Sequence, residues 1–253
     1  MMDLRERVRR WRISRHIDRV QQRTERYKAF VEFHRKAATL FKAVAEGVPA
    51  MDYFVPYYSF YGLPGGADGG TNDHVVDAIF GNKPFATSQV GAPSIKGTGV
   101  MRSVKFHSEQ GASLRYIRQD TGKVLVCLYP ARTEGTRPLE DMVLLTEVKD
   151  PQELQTNKTL RCHLVWLAAY MAKTSLDGAI TLPQRLLMGY LWVFKRHYIR
   201  RRLQPTRAWV AVGYIVKWVF TVSLSGVLLY TIQRRWPPPD SVSHTITTQA
   251  TIA

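Results

Sequence analysis

Asp68, Asp73, His74 and Asp77 form the densest run of side chains able to move a proton or hold a cation. On a helix, Asp73 or His74 would share a face with Asp77, and Asp68 could fold back from the glycine-rich loop before them. Carboxylates converging with an imidazole in a pocket would suit general acid–base work. A metal site needs a more constrained set than one His among loop acids, so no metal and no cofactor is expected. Helix caps and solvated loop acids account for the same four residues. Elsewhere GAPSIKGTG (91–99) has glycines and Lys96 but not the GxxxxGK[ST] order that cradles phosphate. No Gly-x-Ser-x-Gly elbow holds a nucleophile. His107 and His163 are single histidines that read as structural.

Charge is the next signal. The net charge of +16 is uneven: 13 Lys/Arg face 6 acids in residues 1–46, while residues 47–194 carry 14 bases and 13 acids. A second basic cluster comprises Lys195, Arg196, Arg200, Arg201, Arg202 and Arg207. Such a cluster beside an apolar segment is expected to contact anionic lipid headgroups. The near-neutral middle weakens a nucleic-acid reading. Cys127 and Cys162 give no disulfide framework and read as two buried free thiols, as in a reducing compartment.

The elements that would position these groups follow from periodicity. Residues 209–232 (WVAVGYIVKWVFTVSLSGVLLYTI) hold one charge, Lys217, in 24 positions. At about 1.5 Å per residue this would cross a hydrocarbon core of about 30 Å. The sequence therefore predicts one C-terminal transmembrane helix, with Lys217, Thr221 and Ser225 as its intramembrane polar side chains. The six upstream bases put most of the chain on the cytoplasmic side, with a short disordered tail, 233–253, outside.

Residues 1–46 contain no Gly or Pro and predict a long basic amphipathic helix. Ile13, Ile17, Val20, Thr24, Tyr27, Val31, His34, Ala38, Phe41 and Ala45 alternate in steps of 4 and 3, an a/d seam. Of these, Ile13, Ile17, Val20, Tyr27, Val31 and Phe41 would form the face for a partner helix or a second copy. The alternative packs that helix on its own domain. Residues 47–99 read as an aromatic and Gly-rich irregular region with one short helix, HVVDAIFG.

Residues 100–204 read as an α+β cytoplasmic domain. A small antiparallel sheet of about 3–5 strands occupies 100–149, with a hairpin at Asp120-Thr121-Gly122. KVLVCLYP and MVLLTEV are apolar at both parities, as in strands covered on both faces. A helix pair follows over 151–204, its second helix either core or interfacial. The function expected is a single-pass membrane protein acting non-catalytically as an adaptor or subunit of a membrane complex. The alternatives are a membrane-bound enzyme on a lipid or lipid-linked substrate, and nucleic-acid binding through the Arg-rich first helix.

Overall fold

The computed structural model describes residues 4–67, 72–93, 100–136, 138–200, 202–218, 230 and 235. The chain divides into two units, residues 1–207 and 208–253. The first is an α+β domain. It starts with α1 (Leu4–Ala45), 42 residues long, and the short helices α2 (Pro49–Asp52) and α3 (Val55–Tyr58).

Strands β1 (Phe60–Pro64), β2 (Val75–Phe80), β5 (Ser113–Arg118), β6 (Val124–Tyr129), β8 (Met142–Val148), β9 (Arg196–Ile199) and β10 (Arg202–Leu203) follow one another across a seven-stranded antiparallel sheet. A second sheet is the long hairpin β3 (Asn82–Pro93) and β4 (Val100–Gln110), with β7 (Arg132–Thr133) beside β4. A 3-10 turn, Pro151–Gln155, leads into α4 (Asn157–Thr174) and then α5 (Leu182–Phe194).

Period-two alternation explains the large sheet. Val76, Ala78, Phe80, Leu114, Tyr116, Val126 and Leu128 share its sealed face, each 0–1% exposed. Their cross-strand partners lie in register, Val76 with Tyr116 and Tyr116 with Val126. The C-terminal half of α1 packs on this face through Phe30, Phe33, Ala37, Phe41 and Val44. From α4, Leu160, Leu164, Leu167 and Met171 complete the core. Tyr116 is the keystone: its ring centroid lies 5.4 Å from Phe33, 5.7 Å from Phe41 and 5.7 Å from His163. Close approach of α1 demands Gly62, where an added Cβ would come within 2.8 Å of the Phe41 ring.

The fold corrects several expectations. The sheet is larger than 3–5 strands because residues 47–99 contribute β1 and β2 and the segment after α5 contributes β9 and β10, while β3 belongs to the second sheet. HVVDAIFG is not a helix but β2: Val76, Ala78 and Phe80 line the sealed face, where a strand's period of two serves and a helix's 3.6 would not. The sheet is sealed by helices on one face only, with Leu125 and Tyr129 of β6 half-buried on the other. The second helix of the pair stops at Phe194, so the basic cluster begins a strand hairpin and not a helical turn. Cys127 is buried, its thiol pushed up to about 11 by desolvation, but Cys162 is exposed.

The expected spanning helix does not hold either. No described helix is long and apolar enough to cross a membrane. In that stretch residues 207–218 are helical and exposed or half-buried throughout. Lys217 lies within it; Thr221, Ser225 and the tail 236–253 lie outside the described residues. The single-pass arrangement and its cytoplasmic orientation fall with the span. So do the membrane-complex adaptor, the membrane-bound enzyme and the other roles built on that arrangement.

Candidate binding surface

The described acid–base candidates do not converge on a pocket. Asp68 lies outside the described residues. Asp73 and His74 sit in the turn before β2, more than half exposed, with His74 Nε2 3.2 Å from Asp73 Oδ1 and His74 Nδ1 against Arg118. Asp77 is 1% exposed on β2 and faces a cross-strand partner, Arg115 of β5. Its Oδ1 accepts from Arg115 Nε at 2.9 Å, and its Oδ2 accepts from Arg115 Nη2 at 2.8 Å and the Ala67 backbone N–H at 3.0 Å. That carboxylate is fully used in joining two strands and a loop.

Asp77→Asn should therefore lower stability by about 2 kcal/mol, the cost of weakening charge-assisted hydrogen bonds to a buried group. A denaturant midpoint unchanged from wild type would reject this structural role. Among the described residues, no group of three or more His, Cys, Asp or Glu side chains could hold a metal ion.

A different polar constellation carries no motif in the sequence. Ser88 on β3 and His107 on β4 lie on the same face of the long hairpin, with Oγ 2.8 Å from Nε2. Glu134 Oε2 stands 3.6 Å from His107 Nδ1, too far to hydrogen-bond it, and 2.7 Å from Lys105 Nζ. Lys105 holds that carboxyl below its ordinary range. The outline is that of a serine–imidazole–carboxylate relay, but the acid is spent on the lysine and leaves the imidazole unoriented. The hairpin's root is fixed by buried Glu109, which accepts from Tyr58 O–H at 2.7 Å and from the Leu176 N–H at 2.9 Å. Lys83 meets Asp177 at 2.5 Å beside the same root. Only the pairing of Ser88 with Lys105, two residues from His107, reveals this cluster, and register is invisible without the fold.

A polar cleft of about 620 Å³ is lined by Asn82, Gln110, Arg132, Glu134, Glu140 and Asp141, and none of Asp73, His74 and Asp77 lines it. Glu140 is occupied: His197 Nδ1 lies 3.2 Å from its Oε2, and His197 Nε2 lies 3.1 Å from the Leu191 carbonyl oxygen. Both ring nitrogens lie near acceptors, and the His197 imidazole is raised above its ordinary range, first by the Glu140 carboxylate beside it.

One part of the exposed apolar surface lies on α1. Residues 11–25 are exposed on every side, about 22 Å of rod beyond the domain. The rod leaves the domain at Tyr27, whose O–H donates to the Asp120 carbonyl at 2.6 Å and whose ring lies under the Arg118 guanidinium. The Asp120–Gly122 turn forms this collar. Gly122 has φ +78°, and a Cβ there would meet Arg26 at 2.8 Å, so both the turn and the crossing helix require glycine.

Of the predicted partner face, Ile13, Ile17, Val20 and Val31 are 50%, 49%, 38% and 45% exposed. Tyr27 is held by the collar and Phe41 is wholly inside the core. At 100° per residue, Ile13, Ile17, Val20, Thr24, Val31, Ala38 and Lys42 fall within about 40° of one line along α1. That line is about a third of a turn away from the buried row Phe30–Phe33–Ala37. At its C-terminal end it enters a groove of about 510 Å³ between α1, α2, α3 and β1, lined by Ala38, Val55, Phe60, Tyr61 and Leu63. No protein-family model, no curated protein and no solved structure matches this chain.

Proposed function

We propose that the protein is a non-catalytic binding module whose α1 receives an acidic amphipathic helix from another protein. One observation carries the reading: Ile13, Ile17, Val20 and Val31 stand exposed along one line of α1, with Thr24 and Arg35 between them, and the line ends at the groove beside Ala38 and Lys42. It covers some 29 residues, about 44 Å, the length of a docking helix of about four heptads. Spacing in steps of 3 and 4 suits a helix laid along it, with Ile, Val and Leu side chains interdigitating. The domain beneath supplies rigidity, since the second half of the same helix is clamped in the core.

Charge selects the partner. Residues 4–31 hold ten Lys/Arg against three acids. Two copies of α1 side by side would bring twenty bases together, which opposes self-association. An acidic helix would be steered in, quickly and with marked salt dependence.

The test uses the full chain and a synthetic amphipathic peptide, Leu and Ile on its seam and Glu elsewhere. Fluorescence anisotropy should report binding that weakens at least about tenfold in Ile17→Asn. The melting temperature should not move, because Ile17 touches no core residue. Unchanged affinity in that variant would reject the arm as the receptor. A concentration-dependent dimer in light scattering, lost in Ile17→Asn, would overturn the acidic-partner reading in favour of a second copy. Preference for an RNA of matched charge would overturn it likewise.

A further inference from the structure

We infer a second docking face, independent of the arm: α5 and the β9–β10 hairpin form a peripheral seat for an anionic phospholipid surface. Leu182, Leu186, Tyr190 and Phe194 recur every fourth residue on one side of α5 and are 72%, 70%, 45% and 55% exposed. The opposite side of the helix, Met188 and Leu191, is buried in the domain. α5 is thus apolar inward and outward, and the outward row has no cover within the domain. Trp192 adds a ring beside it, with the Arg207 guanidinium 3.2 Å from its centroid, and the Tyr190 ring lies 5.1 Å from Phe194 and 5.6 Å from Trp166.

The surrounding charge identifies the occupant. From Gly178 to Arg207 there is no Asp or Glu, but there are seven bases, six of them between Lys195 and Arg207. Two acids approach from the neighbouring strand connection: Glu140, turned inward on His197, and Asp141, whose backbone N–H donates to the Tyr198 carbonyl at 2.9 Å. An apolar row with aromatic rings at one end and a rim in which bases outnumber acids fits the acyl–headgroup boundary of an anionic leaflet. At thirteen residues, about 20 Å, α5 lies in the plane of such a layer and does not cross it.

Backbone conformation adds a separate observation. Ile199 pairs with Arg202, so Arg200 stands in the tight loop between β9 and β10, where Asn or Gly is favoured. Arg200 has φ +50°, a conformation in which Arg is disfavoured and Gly is not. A base is retained at this tip against the backbone preference, as expected where its charge is used.

Sedimentation of the full chain with vesicles tests the seat. Vesicles of phosphatidylcholine with about 30% phosphatidylserine should bind at least about tenfold more tightly than phosphatidylcholine alone, and about 0.5 M salt should release the protein. The double variant Leu186→Glu/Tyr190→Glu should lose about tenfold or more with an unaltered melting temperature. Arg200→Gly should bind about fivefold less, the share of one base near the surface, while its melting temperature rises by about 2–4 °C. A merely structural Arg200 would give the rise without the loss. Equal binding to both vesicle types, or full retention by the double variant, overturns the proposal. So does binding of polyglutamate in preference to anionic vesicles, which would assign the face to an acidic protein. Neither variant touches α1, so the peptide-binding result for the arm stands or falls separately.

Discussion

Phe33→Ala should destabilise the domain by about 3–5 kcal/mol, whereas Val31→Ala, two residues earlier on the same helix, should cost less than about 0.5 kcal/mol. Phe33 is 0% exposed and packs against Phe30, Phe41 and Tyr116 with ring centroids 5.9, 6.0 and 5.4 Å away. Deleting that ring leaves a void bounded by α1, β5 and α4, three elements that cannot all close over it. Val31 is 45% exposed, and alanine's better helix propensity offsets the little surface it covers. For a domain of about 200 residues the Phe33 loss corresponds to a fall in melting temperature of about 10 °C. Paired denaturant titrations measure both. A costly Val31 and a neutral Phe33 would mean that α1 is rotated on the domain, and the exposed line that supports partner binding would then be the buried one.

That contrast locates what the sequence could and could not say. The length of α1 was readable because nothing between Leu4 and Ala45 breaks a helix, and an apolar 4/3 spacing was readable too. Two such lines coexist, however. One runs through Ile17, Val20, Thr24 and Val31, the other through Phe30, Phe33, Ala37, Phe41 and Val44, and only the tertiary contacts decide which one the sheet takes. Phe41 sits on the first line by spacing alone and in the core by contact, which shows how little a one-residue step in a helical pattern costs to misassign.

Local turn chemistry was legible where it is strictly local. Gly122 takes its positive φ, and Gln184 Oε1 accepts the Thr181 N–H at 2.9 Å at the start of α5. β2 was not legible, since VVDAIF reads equally as four helical or six extended residues until Phe60–Pro64 pairs with it. Asp77 looked like a catalytic candidate for a related reason: its burial and its Arg115 partner, 38 residues on, are both products of that pairing. The apolar stretch after Arg207 satisfied the length criterion for a membrane span. Among the described residues, however, no helix is both long and apolar enough to cross a membrane.

Acid should weaken the domain by about 3 kcal/mol between pH 6.5 and pH 4 through one side chain, His163. It is 6% exposed on α4, and desolvation pulls its imidazole down from 6.5 to about 4. Tyr116 O–H donates to its Nδ1 at 3.0 Å, a bond that exists only while that nitrogen is unprotonated. The sign follows from proton counts. Between pH 6.5 and 4 the unfolded chain carries a proton on His163 that the folded chain does not, so unfolding takes up a proton and is favoured as pH falls. Stability is full above pH 6.5, declines by about 1.4 kcal/mol per pH unit below it, and levels off under pH 4.

Two further buried or half-buried groups with shifted values leave pH 6.5 to 4.5 clear. His197, held above its ordinary range, contributes fully below pH 6.5 and loses its effect only as pH rises through its folded value. Glu140, held below 4.5 by its bond to His197, begins to lose its contribution only below pH 4.5, where the unfolded chain takes up a proton and the folded chain does not. Urea midpoints taken every half unit from pH 7.5 to 4 should trace the decline. His163→Gln, which keeps a hydrogen-bonding side chain but has no imidazole, should flatten it even if the variant is less stable at pH 7. A wild-type profile already flat from pH 6.5 to 4.5, or one whose slope survives in His163→Gln, would remove the histidine from the core contact that joins α4 to Tyr116 and, through it, to the helix that carries the arm.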